Sequence, residues 1–161
     1  IKIDILFYYN KHPNKFSLVI IKLIDRLLKK NVKISCIGER YHNKKVNYIG
    51  RVSREKTWKL MKYSKLSLMS SENYLSLFLL DCIVCNLKVI TSIDEFLKIK
   101  KYFNKDNFLI YSSKNSEKKI DKIILNNLKR STKTLNKKIS NKNIIKINKK
   151  NKIYFSNLLN K

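Results

Sequence analysis

The chain has 161 residues, of which 37 are basic and 11 acidic, for a formal net charge of +26. This length fits one globular domain, and an apolar content of 43% argues against global disorder despite the charge. Two Gly and one Pro exclude collagen-like, elastic and linker-rich architectures. The longest apolar run near the middle, Leu77 to Leu80, is far shorter than the roughly 20 residues of a membrane-spanning helix.

The basic charge is carried mostly by lysine, in a sequence crowded with Lys, Asn and Ile and without Ala or Gln. Codons for these three residues are A/T-rich, so an A/T-rich genome explains much of the charge. Nucleic-acid surfaces rely on bidentate Arg contacts, and only five basic residues are Arg, so we expect no nucleic-acid partner. No acid follows Asp121, and this basic end suits an anionic membrane or polymer.

The three cysteines are predicted to be free, buried thiols in a reducing compartment. Cys82 and Cys85 have the C-x-x-C spacing of zinc and redox sites, but the remaining cysteine, Cys36, is far away in sequence. The two histidines, His12 and His42, lie in other segments. We therefore expect no metal site.

Short apolar strands alternate with helices along the chain. The predicted strands are 2–9, 31–37, 46–49, 66–69, 88–91 and 107–111, and the predicted helices are 17–30, 54–62, 75–86, a segment from 116 and a last amphipathic segment at 152–159. This alternation predicts an α/β fold, a Rossmann-like doubly wound parallel sheet with helices on both faces, plus C-terminal helices. We expect a ligand-binding domain over 1–130 and a basic helical extension over 131–161.

In such a sheet the ligand lies beyond the carboxyl ends of the strands. The turns expected there are 10–15, 38–45, 50–54, 70–76 and 91–95. They carry the charged residues Lys11, Lys15, Glu39, Arg40, Arg51, Arg54, Glu72 and Asp94. A basic rim with a few acids suits a phosphorylated ligand whose sugar hydroxyls need acceptors. Neither a Gly-x-Gly-x-x-Gly nor a P-loop follows any strand, which removes the commonest dehydrogenase and ATPase interpretations.

Three segments share an order of motifs with one enzyme family. Residues 5–16 align without a gap on ILFVGR-x-x-x-x-KG, residues 46–52 on V-x-F-x-G-x-V, and residues 63–91 on A-D-x-x-V-x-P-S-x-x-E-G-x-G-x-x-x-L-E-A-M-A-C-G-x-P-V-I. Over roughly residues 3 to 125 the sequence resembles the C-terminal, donor-binding domain of GT-B glycosyltransferases of the "glycosyl transferases group 1" type.

The resemblance implies roles for individual residues. For the donor diphosphate it implies Lys15, with Asn10 at the position of the family's Arg, Lys11 beside it, and Ser76 where the family has a loop glycine. For the donor sugar it implies Glu72 or Asn73, for the ribose Asp81, and for the base Val52 with Arg51. It implies a nucleoside-diphosphate sugar as co-substrate, with no other cofactor and no metal.

The function implied is sugar transfer from that donor to an acceptor. The acceptor-binding N-terminal domain is expected to be absent from this chain, which would then be inactive alone. Asn at position 10 and the missing loop glycines keep a second hypothesis open, a degenerate module that binds anionic polymer or membrane. A flavodoxin-like or response-regulator domain ranks last, because the acidic cluster expected after its first strand is missing. The expected location is cytoplasmic, with peripheral binding to the inner membrane face left open.

Overall fold

The computed structural model describes residues 3–11, 17–69 and 76–131. The strands are β1 (Ile3–Tyr9), β2 (Ile34–Gly38), β3 (Asn47–Gly50), β4 (Ser64–Leu68), β5 (Val89–Ser92) and β6 (Phe108–Tyr111). The α-helices are α1 (Leu18–Lys29), α2 (Arg54–Lys62), α3 (Leu77–Val84), α4 (Ile93–Ile99) and α5 (Glu117–Ser131), and a short 3₁₀ helix spans Lys105–Asn107.

The strands form one six-stranded sheet in the order β3-β2-β1-β4-β5-β6, and all neighbours are parallel. The chain builds outward from β1 to β3, returns through α2, and builds outward again from β4 to β6. The strand order therefore reverses between β1 and β4, where a doubly wound sheet forms its ligand crevice. The predicted Rossmann-like α/β fold is confirmed.

Each face of the sheet is covered by its own apolar core. On one face α1 and α5 contribute Ile24 and Ile124, which are fully buried against Phe7 of β1. On the other face Met61 of α2 and Cys82 of α3 share a second core with residues of α4. Burial on both faces is why the central strands β1 and β2 are mostly apolar instead of alternating with polar residues.

Local signals place the first two helices well. Ser17 caps α1, its Oγ accepting the Ile20 N–H at 3.4 Å, and Ser53 caps α2 by accepting the Lys56 N–H at 3.2 Å. The observed α2 has the predicted bounds, and α1 lies within the predicted 17–30. A capping hydroxyl at the first turn satisfies amides that the helix itself cannot, so these boundaries are local properties of the sequence.

The structure corrects several other boundaries, among them the helix predicted at 75–86, which spans Leu77–Val84. The strand predicted at 31–37 begins only at Ile34, because Asn31 adopts φ 60° and ends the turn after α1. The strand predicted at 66–69 begins earlier, at Ser64. The predicted turn 91–95 is wrong: Ser92 ends β5 and caps α4 directly, its Oγ accepting the Glu95 N–H at 3.2 Å. A seven-residue helix is too short to show clear periodicity in sequence.

The carboxyl-terminal predictions are confirmed only in part. The helix expected from 116 is α5. The rest of the proposed extension and the amphipathic segment at 152–159 lie outside the described residues, so the division at residue 130 stays a prediction. No helix among the described residues is long and apolar enough to cross a membrane.

The cysteines lie mostly in the cores. Cys36 of β2 and Cys82 of α3 are fully buried, whereas Cys85, just after α3, is half-buried. Burial raises the pKa of Cys82 to about 12 and that of Cys85 to about 11. Both thiols therefore stay protonated near neutral pH, which makes them poor nucleophiles and poor metal ligands.

Gly38 brings the ends of β1 and β2 together. It adopts φ +95°, and a Cβ there would lie 2.4 Å from the carbonyl oxygen of Tyr9. This close approach accompanies the hydrogen bond in which the Glu39 N–H donates to that carbonyl at 2.9 Å. Gly50, at the end of β3, has a similar φ of +93°, but its nearest neighbour is the Tyr48 hydroxyl at 3.8 Å.

We expect Gly38→Ala to destabilise the chain clearly more than Gly50→Ala. Both substitutions force a side chain into positive φ, at a cost of about 1–2 kcal/mol. Only Gly38→Ala also drives a methyl group into backbone, adding on the order of 1–3 kcal/mol. Urea unfolding of the two variants measures the difference, and equal losses would show that the contact with Tyr9 is easily relieved.

Candidate functional site

Three turns meet at the carboxyl edge of the sheet through one carboxylate. Glu39, after β2, accepts the Lys11 N–H at 2.8 Å through Oε2, and its Oε1 lies 3.5 Å from Nη2 of Arg51. Lys11 follows β1 and Arg51 follows β3, so the expected clustering of charge at this edge is observed for these residues. Lys11 and Arg51 are exposed, and each leaves a basic side chain at the rim.

A second ion pair joins α2 to α3. Arg54, the first residue of α2, donates from Nη2 to Oδ1 of Asp81 at 2.7 Å, and its Nε lies 3.1 and 3.2 Å from the two carboxylate oxygens. Asp81 lies within α3 and is 4% exposed, whereas the Arg54 side chain is 59% exposed. The guanidinium carbon also lies 5.0 Å from the centre of the Trp58 ring.

This arrangement makes Arg54 a permanent cation of fixed orientation. The hydrogen bond with Asp81 raises the pKa of Arg54 above its usual value. A bidentate carboxylate and an aromatic face both restrict the guanidinium plane. The result is an exposed, oriented positive charge at the end of the helix nearest the carboxyl edge.

The sequence identifies Asp81 but not its partner. An acid within the apolar run of α3 must be hydrogen-bonded or face a cleft, and the structure provides the hydrogen bonds. No pattern in the sequence singles out Arg54, which lies 27 residues earlier, from the other basic residues. The ribose-binding role of Asp81 stays a prediction.

The N-terminus of α3 lies at the point where the strand order reverses. Ser76 caps this helix, its Oγ accepting the Leu79 N–H at 3.1 Å, as expected from the sequence. Because β4 neighbours β1, the turns that follow the two strands share one edge. Asn10, half-buried, and Lys11 therefore belong to the same end of the sheet as Ser76.

Of the remaining predicted ligand contacts, one lies at a core and three lie outside the described residues. Val52 is half-buried and packs against the second core, so only its backbone is suited to a ligand. Lys15, Glu72 and Asn73 lie outside the described residues, and their roles stay predictions. Within the described segments no group of three or more His, Cys, Asp or Glu side chains is placed to hold a metal ion.

Comparison with known proteins supports the fold. Neither a protein-family model nor a curated protein sequence matches this chain. Among solved structures it is similar to WaaG, a glycosyltransferase involved in lipopolysaccharide biosynthesis, with a TM-score of 0.55 and 14% identity, over 81% of this chain and 39% of WaaG. It is also similar to TarM, with a TM-score of 0.50 and 15% identity, over 89% of this chain and 34% of TarM.

These likenesses establish a glycosyltransferase-like α/β fold. The chain spans less than two fifths of the length of either structure. At such low identity the likeness extends to the fold alone, and the chemistry must be argued from the residues of the site.

The pair formed by Arg54 and Asp81 can be tested by a double-mutant cycle with Arg54→Met and Asp81→Asn. We expect a coupling energy of about 0.5–3 kcal/mol in urea unfolding, because the two side chains share a hydrogen-bonded network. Arg54→Met alone should be the most destabilising variant, since it leaves a buried carboxylate without its cation.

Glu55 and Lys59 provide the matched control on the same helix. Their side chains are joined at 2.8 Å on an exposed surface, so Glu55→Gln should leave the unfolding midpoint nearly unchanged. Additive effects of Arg54→Met and Asp81→Asn would show that the pair contributes no coupling.

Proposed function

We propose that the chain is the donor-binding part of a glycosyltransferase. It would hold a nucleoside-diphosphate sugar while the sugar is transferred to an acceptor. The observation that carries the proposal is the crevice between β1 and β4, where the capped N-terminus of α3 and a basic rim share one edge. The likeness to WaaG, a glycosyltransferase, supports it.

The chemistry required at this edge is stabilisation of a departing diphosphate. In the transfer, the bond from the anomeric carbon to the diphosphate oxygen breaks and an acceptor oxygen bonds to that carbon. Negative charge grows on the diphosphate as it leaves, and oriented cations and helix N-terminal amides stabilise such charge best. We assign this role to Lys15, Lys11, Asn10 and the amides beyond Ser76.

Arg54 is the cation that we add to this set. Position 10, where the related family has Arg, holds Asn, so one cationic contact is missing from the turn after β1. Arg54 begins α2 on the same face of the sheet as α3, and Asp81 holds its guanidinium in place. An oriented guanidinium suits bidentate contact with phosphate better than a mobile lysine does.

The sugars of the donor need hydroxyl acceptors. We assign Glu72 or Asn73 to the transferred sugar, Asp81 to the ribose, and the backbone near Val52 with Arg51 to the base. A carboxylate has about four acceptor sites, so Asp81 can receive a hydroxyl beside Arg54. We place the acceptor site outside this chain, since it spans only part of the related structures.

The proposal predicts stabilisation by one class of nucleotide. Thermal unfolding would be measured with UDP, GDP, ADP and their sugar conjugates at millimolar concentration and at two salt concentrations. A ligand that binds only the folded chain raises the midpoint by mass action, and here the shift should persist at the higher salt concentration. Lys15→Ala and Arg54→Lys should each weaken binding by roughly 10- to 100-fold, the effect of losing a charged hydrogen bond.

Lys59→Ala is the control, because it removes an exposed cation from the same helix. Its nucleotide affinity should equal that of the parent chain. Heparin serves as the competing ligand. If heparin alone stabilised the chain, and only at low salt, the donor-binding proposal would be overturned in favour of a module that binds polyanions.

A further inference from the structure

The crossover from β2 to β3 is unusually short. It comprises residues 39–46 and contains no helix, whereas parallel strands are ordinarily joined by a dozen or more residues that include one. Tyr41 and Val46 of this connection pack into the core shared with α1 and α5. On this side of the sheet the connection therefore lies where a helix would otherwise be expected.

A cleft of about 800 Å³ opens beside this connection. Its volume is in the range of sites for small organic ligands. The lining residues come from the end of β1, the connection itself and the first half of β3: Tyr9, Lys11, Arg40, Tyr41, His42, Asn43, Lys44, Val46, Asn47 and Tyr48. No acidic side chain is among these described lining residues.

The wall of the cleft contains a buried hydroxyl in need of a partner. Tyr41 is 3% exposed and packs edge-on against Phe7 and Tyr9, with ring centres 5.5 and 5.0 Å away. Its hydroxyl is buried and has no hydrogen-bond partner among the residues that the structure describes. A buried unsatisfied hydroxyl is costly, so a ligand group that reached it through a small shift of the surrounding side chains would gain free energy.

The cations of the cleft face an aromatic surface. Arg40 lies over the ring of Tyr48, with 5.1 Å between the guanidinium carbon and the ring centre, and Lys44 adds a second charge. The connection is held in shape by Asn43, whose Nδ2 donates to Asp25 at 2.8 Å and whose Oδ1 accepts the Lys45 N–H at 3.0 Å. These bonds fix the shape of the connection before any ligand binds.

We propose that this cleft is a second binding site, for a phosphorylated sugar. Arg40 and Lys44 would bind the phosphate, the Tyr41 hydroxyl would bond to a sugar hydroxyl, and the tyrosine rings would pack against sugar C–H groups. A nucleotide base is a poorer fit, since Tyr9 and Tyr41 meet at 82° and do not form a slot of parallel rings. This proposal depends on the residues of the cleft and does not require that the donor-site proposal be correct.

Mannose 6-phosphate is a suitable probe of the full chain, with mannose, inorganic phosphate and the nucleotides UDP, GDP and ADP as separate arms. Isothermal titration should show that mannose 6-phosphate binds at least tenfold more tightly than either fragment. Excess UDP, GDP or ADP should not displace it. Equal affinity for phosphate alone would reveal only a general anion site and overturn the proposal, as would displacement by any of the three nucleotides.

Tyr41→Phe is the sharper test, because it should keep or raise the stability of the unliganded chain while it lowers the affinity for mannose 6-phosphate. Removing an unsatisfied hydroxyl should leave the unliganded chain at least as stable as the parent, while affinity for mannose 6-phosphate falls about tenfold. Arg40→Ala should also weaken binding about tenfold, and Lys59→Ala should not. Unchanged affinity in Tyr41→Phe or Arg40→Ala would overturn the proposal.

If none of UDP, GDP and ADP bound while mannose 6-phosphate did, the donor-site proposal alone would be contradicted. The converse result would contradict the second site alone. Each proposal can therefore be disproved without affecting the other.

Discussion

The placement of β1 at the centre of the sheet is the constraint on which the rest of the structure depends. This strand pairs with β2 on one side and β4 on the other, so its backbone is satisfied on both edges while Phe7 and Leu6 contribute to opposite cores. The buried Ser67 hydroxyl adds a bond to the Leu6 carbonyl at 2.8 Å. Because the chain winds outward from β1 in both directions, the strand order reverses beside β1, and the crevice forms there.

The few buried acidic side chains fix the positions of particular basic side chains. With 11 acids against 37 bases, there are too few acidic side chains for most basic ones to have a partner of their own. Asp121, buried on α5, accepts a hydrogen bond from Nε of Arg26 at 3.1 Å. This ion pair joins α5 to α1, just as the pair of Asp81 with Arg54 joins α3 to α2. A buried carboxylate is stable only when paired, and Asp121 lies against both Arg26 and Lys30 while Asp81 orients Arg54. At Arg54 the consequence is a candidate phosphate contact.

The two proposed sites follow from how successive strands are connected. The capped helix that follows β4 places amide donors at the crevice, because the first turn of any helix has unpaired N–H groups. The connection from β2 to β3 has no helix, and the space beside it is a cleft lined by tyrosines and cations. Gly38 lies where β1 and β2 end, between the crevice and the cleft. Only a residue without Cβ allows β2 to end so close to Tyr9.

Local chemistry in the sequence determined most of the elements. Capping serines, helical periodicity and apolar strand runs depend on residues a few positions apart, which is why α2 has the predicted bounds and the parallel fold follows. The choice of Arg54 as partner of Asp81 and the cleft containing the Tyr41 hydroxyl were decided by tertiary structure. Each joins residues or elements distant in sequence. Pairing and burial at such distances depend on three-dimensional packing, which no local pattern encodes.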